Sequence, residues 1–267
     1  MSYVTRNYRA TFPDALRSEW TKLSSLRSLW FTALATVLIG PGIGSLTARA
    51  QGGAYLAGKV EDPASFDPTA VSYGGIFVGQ LAIGVLGVLA ITSEYATGMI
   101  RPSLAAVPRR ARLLVAKCVV FAGAAFVLGQ LIGFTSFLIG QSMLAALGVP
   151  HAGLDQPDVL RAVVGAGLYL ATIGLLGLGL GTMLRSTAGA IGLLVTIILL
   201  VRAVSLAFPQ DWQIWINKYW PTSAGEQITR VIPQPGALAP WTGFGLLCGF
   251  VLAVAVAGYA VLRGRDA

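Results

Sequence analysis

Six stretches of about twenty mostly apolar residues divide this chain, and that pattern limits what it can fold into more than any other feature. They run from Leu29 to Leu46, Tyr73 to Ile91, Leu113 to Leu147, Val163 to Leu184, Ala188 to Phe208 and Trp241 to Leu262. Wound as a helix, a run of this length matches the hydrocarbon thickness of a bilayer. Lipid offers no partner to an unpaired backbone N–H or C=O, so each run has to satisfy its own peptide groups as a helix. The charged fraction agrees: it is 11% of 267 residues, where a soluble domain carries about 25%. The expected fold is all-α, a polytopic membrane protein with six transmembrane helices. Gly40-Pro41-Gly42 predicts a kink or an early end in the first span. The third run is too long for one straight crossing and should tilt, bend or project beyond the bilayer.

The net charge of +8 is explained once it is mapped onto alternate sides of the six spans. One side holds Arg6, Arg9, Arg17, Lys22 and Arg27, then Arg101, Arg109, Arg110, Arg112 and Lys117, then Arg185, then Arg263 and Arg265. The other holds only Arg49, Lys59, Arg161, Lys218 and Arg230, with Arg202 inside the fifth run and close enough to its end to snorkel. Cytoplasmic loops collect Lys and Arg, so both termini are expected in the cytoplasm. Topology thus accounts for the basic excess without nucleic acid as a partner. Residues 1–27 form a cytoplasmic N-terminal segment, and residues 28–267 form the six-helix domain. The two cysteines sit inside apolar runs and there is a single histidine, which argues against a disulfide framework or a metal site.

Before the first span, Phe12, Leu16, Trp20, Leu23, Leu26 and Trp30 recur at steps of three and four, while Arg17, Glu19, Lys22 and Arg27 take other faces. This pattern predicts an amphipathic helix lying in the membrane interface, anchored by its tryptophans and meeting anionic lipid through its cations. The other arrangement that suits these residues is a plain N-terminal extension of the first span.

The most informative stretch is Ser93 to Arg110, between the second and third spans. Pro102 suits the first turn of a short helix and Pro108 would stop it. Met99, Ile100, Leu104 and Val107 are then apolar side chains in a loop rimmed by cations, which makes either a docking surface or a segment folded back onto the membrane. Glu94 stands where the second run meets this loop. A lone carboxylate there calls for a partner such as Arg101, Arg109 or Arg110, unless it stays hydrated.

Three of these segments resemble the permease subunits of ABC-2 type ABC transporters, in particular those of high-GC bacteria. They are Leu16-Arg17-Ser18-Glu19-Trp20-Thr21-Lys22-Leu23, Glu94 through Arg101, and Leu104-Ala105-Ala106-Val107-Pro108-Arg109-Arg110. The resemblance implies a dimer of permeases in the bacterial cytoplasmic membrane, bound to two copies of a separate ATP-binding subunit and working as an exporter. It implies that the loop after the second span couples to that subunit, through Glu94, Tyr95, Gly98, Met99, Ile100, Arg101, Leu104, Val107, Arg109 and Arg110. A second, lesser contact would be Arg185 and Ser186, and the interfacial helix would carry Leu16, Arg17, Trp20, Lys22 and Leu23. ATP and Mg would belong to the partner subunit.

The residues are consistent with a borrowed motor. No G-x-x-x-x-G-K-[ST] phosphate loop occurs in the sequence, so the chain lacks that means of binding ATP and is expected to be non-enzymatic. Few polar residues lie within the runs: Gln80, Gln130, Thr135, Ser136, Gln141, Thr172 and Thr196. An ion-coupled carrier would want ionisable groups near the midplane, and an intramembrane enzyme would want a catalytic pair. A mostly apolar route suits hydrophobic or amphipathic cargo such as a drug, antibiotic, peptide or lipid. Between the fifth and sixth runs, Trp212, Trp215, Tyr219 and Trp220 predict a re-entrant or surface-lying cap, with Thr222 or Ser223 capping a short helix after Pro221.

Overall fold

The computed structural model describes residues 11–25, 27–60, 62–99, 102 and 110–264, the side chains of 27–29 excepted. Among these residues it is helical without strands. The helices are α1 (Phe12–Ser25), α2 (Arg27–Leu56), α3 (Pro68–Ala96), α4 (Arg110–Ala146), α5 (Val159–Leu184), α6 (Thr187–Ser205), α7 (Gln210–Tyr219), α8 (Pro221–Glu226) and α9 (Pro240–Gly264). Six of them, α2 to α6 and α9, are long and apolar enough to cross a membrane. We call the end of the bundle that carries α1 basal and the opposite end distal.

Helix α2 overturns the expectation of an early stop, because it runs through Pro41 to Leu56. Its neighbours explain why. A methyl group on Gly75 would run into the Gly40 carbonyl, and one on Gly44 would meet the Ser72 carbonyl, so the two backbones touch on either side of the proline. That close packing holds a helix together where proline removes one of its own hydrogen bonds. α3 starts at Asp67, whose Oδ1 accepts from the N–H groups of Thr69 and Ala70, a side-chain N-cap. The other oxygen of Asp67 accepts from the N–H groups of Val231 and Ile232, so one buried carboxylate fastens two distal segments. The third span meets its expectation: 37 residues make about 55 Å of helix, well beyond a hydrocarbon core of about 30 Å.

α5 is the hub. Its most apolar window is 83% buried, whereas those of the other five spans range from 22% to 56%. It packs on α3, α4 and α9 at once. Glycine permits this. A methyl on Gly87 would collide with the Gly174 carbonyl, one on Gly177 with the Gly84 carbonyl, and one on Gly129 would press on the Gly167 backbone. Lipid supplies no hydrophobic drive between spans, so close van der Waals contact of this kind is what holds them. Gly129/Gly133 and Gly177/Gly181 therefore serve packing within the chain, while Gly245 and Gly249 face open space.

The glutamines of the spans join helices, while Thr135, Thr172 and Thr196 donate to carbonyls of their own helices. Gln141 donates to the Pro68 carbonyl and the Ser72 hydroxyl and accepts from Ala152 N–H; Gln130 donates to the Val164 carbonyl; and Tyr169 donates to Gln80 at 2.6 Å. In the distal cap, α7 exposes Trp212, Trp215 and Tyr219, while α8 is buried against α9. α8 begins with Pro221 in its first turn and has no side-chain cap, and Thr222 and Ser223 are buried within it rather than capping it.

Candidate coupling site

A ring of four charges is buried at the basal end, where α1, α3 and α4 meet. The Lys117 ammonium, on the third turn of α4, donates to Glu19 Oε2 at 2.5 Å and to Glu94 Oε1 at 2.7 Å. Lys22 donates to Glu19 Oε1 at 2.7 Å and to Glu94 Oε1 at 3.2 Å. Positive and negative groups alternate and the formal sum is zero. The side chains of Glu19, Glu94 and Lys117 are only 3–6% exposed, and Lys22 closes the ring on the open side at 23%. Burial pushes the Lys22 ammonium toward a lower pKa, but the neighbouring Glu19 and Glu94 outweigh it and leave the value raised. Lone charges at this depth would be very costly, and paired ones are tolerated.

This ring bears on two expectations. Glu94 pairs with Lys117 and Lys22, which sit across the helix junction from it, while Arg101 and Arg109 lie outside the described residues. Glu19 does not share a solvent face with Arg17. It lies four residues from both Ala15 and Leu23, and these three make the buried stripe of α1. Ala15 and Leu16 pack on Leu113 and Ala116 of α4. Trp20 and Trp30 remain exposed, as does Arg17. The helix therefore has two working faces, one sealed to the bundle and one open. Its N-terminus is tied by Asp14, which accepts from the Thr11 N–H and hydroxyl, and these bonds hold its carboxyl below the usual range.

The loop leaves from this ring. α3 ends where the Thr97 N–H reaches the Ser93 carbonyl, and Gly98 turns the chain with a left-handed φ of 71°, a conformation that favours glycine. Met99 is about half exposed and Pro102 is exposed. Ile100, Arg101, Leu104, Val107 and Arg109 lie outside the described residues. Where the chain returns, Arg110 donates to the Leu262 and Arg263 carbonyls and so binds the last turn of α9. The Arg185 guanidinium stands 5.3 Å from the centre of the Tyr95 ring, which joins the turn between α5 and α6 to the end of α3. Ser186 caps α6 by accepting from Gly189 N–H.

The structure thus gathers Glu94, Tyr95, Gly98, Met99, Arg110, Arg185, Lys22 and Leu23 on one basal face. Sequence reasoning missed Glu19 and Lys117 as site residues. A lysine seven residues into an apolar helix was the available signal for one. For the other, it was a glutamate spaced four residues from two apolar neighbours.

A family model described as ABC-2 family transporter protein matches residues 15–203, more than half of the chain, from α1 through most of α6. No curated protein matches the chain.

Proposed function

Since the chain belongs to the ABC-2 family of transporter membrane proteins, we propose that it is the permease subunit of an ATP-driven exporter, coupled to its motor through the basal face. Family membership implies association with an ABC ATP-binding subunit. On this reading two such subunits serve a pair of permeases, ATP and Mg are bound by those subunits, and the basal face lies in the cytoplasm of a bacterial cell. Residues 1–27 form the cytoplasmic segment and residues 28–267 the translocating unit.

The observation that carries the proposal is the charge ring at the root of the loop. A thrust delivered to residues 94–110 meets the end of α3 and the start of α4, which the ring locks to α1. Pulling them apart would leave buried charges unpaired, at a cost of about 3–5 kcal/mol for one lost partner. The three helices therefore move as one wedge. The wedge bears on the hub through the glycine contacts of α3 with α5, and those contacts have no slack to absorb the motion. Arg185 on Tyr95 and Arg110 on the end of α9 extend the same linkage to the remaining spans. Cargo of hydrophobic or amphipathic character fits spans whose few polar side chains are mostly hydrogen-bonded to the protein's own backbone and side chains.

The test replaces Leu104 with Asp in the membrane-inserted chain, followed by purification and a search for a bound ATP-binding protein. The expected result is loss of that protein with insertion intact, because docking would bury an unpaired charge. Unchanged association would remove the loop from the coupling role.

A further inference from the structure

We propose that the distal cavity binds an amphiphile with an acidic head group, a substrate class that refines the exporter reading and rests on it. The cavity lies between α3, α5 and α6 on one side and α7, α8 and residues 234–237 on the other. Its volume is about 650 Å³, within the roughly 300–1,000 Å³ range of small-molecule sites. Phe77, Ile198, Leu199, Leu206 and Ile214 form an apolar wall. The Tyr169–Gln80 hydrogen bond also lines the cavity, with each of the two groups satisfied by the other.

The charge balance selects the head group. Glu226 is the carboxylate lining the cavity, and it is shared between Arg202 at 2.9 Å and Arg230 at 3.7 Å. Lys218 also lines the cavity, and among the described residues its ammonium has no carboxylate within ion-pair distance, only the Tyr219 ring at 5.5 Å. Cations therefore exceed anions around a half-enclosed apolar space, which favours an anion with an apolar body. Gln227 adds a second selector. It is 6% exposed and donates to Gln234, while its buried Oε1 has no partner. A ligand hydroxyl or N–H beside the anion would satisfy it. A protonated phosphate monoester carries both features in one group.

The backbone of α6 is shaped for this. Residues Thr196–Leu200 form a widened π turn, a form often found at functional sites. The Ile197 carbonyl accepts from the Trp220 indole at 2.8 Å, which ties the cap to α6, while the next two residues, Ile198 and Leu199, line the cavity.

The experiment measures equilibrium binding of radiolabelled dodecyl phosphate to the full chain in phosphatidylcholine nanodiscs, without any ATP-binding subunit. Saturable binding is expected. Lys218→Gln, at a residue with no ion pair to lose, should weaken it about fivefold, and R202Q with K218Q at least tenfold. Ile198→Trp, which fills the apolar wall, should abolish it while thermal unfolding shows the chain intact. Dodecyltrimethylammonium and dodecyl maltoside should compete poorly. Phosphatidylglycerol in the disc distinguishes two sources of the head group, since loss of binding would identify a lipid and persistence a free amphiphile, and either supports the site. Equal competition by the cationic and neutral detergents, or binding unmoved by both Lys218→Gln and Ile198→Trp, would overturn it. Such a failure leaves the exporter reading standing, because no motor is present in the assay. Loss of the exporter reading would likewise leave the binding result untouched.

Discussion

Lys117 concentrates the physics of the basal face in one ammonium. With Lys22 it neutralises Glu19 and Glu94, so Lys117→Met should leave two buried carboxylates sharing Lys22 alone and destabilise the chain by about 3–5 kcal/mol, read as a lowered unfolding temperature in detergent. Exchanging all four charges, with Glu19→Lys, Lys22→Glu, Glu94→Lys and Lys117→Glu in one chain, should recover a large part of the loss, because every pairing of the ring survives reversal. If the exchanged chain were no more stable than the single variant, the pairing would not be what Lys117 contributes. The sequence exposes Lys117 as an oddity within an apolar run but does not reveal its partners. Glu94 was legible as a carboxylate in need of a cation. Which cation it takes depends on how three helices cross, and neither local pattern nor spacing encodes that. Glu19 was hidden for a plainer reason: a glutamate beside Arg17 and Lys22 looks like part of a hydrated face until the helix is rolled against α4.

At the level of elements, the spans were legible because apolar length is a strong signal, and all six lie where the runs do. Their ends were less so. The chain extends α2 ten residues past the expected Leu46, because tertiary contact at Gly40, Gly44 and Gly75 overrides the local penalty of Pro41. α8 replaces a hydroxyl cap with Pro221 in its first turn, a choice that the Thr-Ser pair after it disguised. Helix contact also yields a graded expectation. Gly87→Ala places a methyl against the Gly174 carbonyl and should cost about 1–3 kcal/mol through backbone displacement, whereas Gly245→Ala meets nothing and should leave the unfolding temperature within error or slightly higher. Equal effects of the two changes would show that the α3–α5 contact is not tight.

For the whole molecule, α1 and the last turn of α9 both lie at the basal end, and the cytoplasmic placement proposed for that end rests on the bias of Lys and Arg. In a chain freed of Cys118 and Cys248, a cysteine at Asp155 should react with an impermeant maleimide on intact cells, and one at Gly98 only after the membrane is opened. The reverse pattern would invert the assignment and with it the coupling role of the basal face. The hub also bears on how the chain is made. α5 is as greasy as its neighbours yet almost wholly walled by protein, and one wall, α9, leaves the ribosome after the others, α3 and α4. Until then the seat around Gly179, where Val254 and Ala255 come to rest, faces acyl tails or an insertase. A nascent chain stalled before α9 is thus expected to carry a vacant groove along α5.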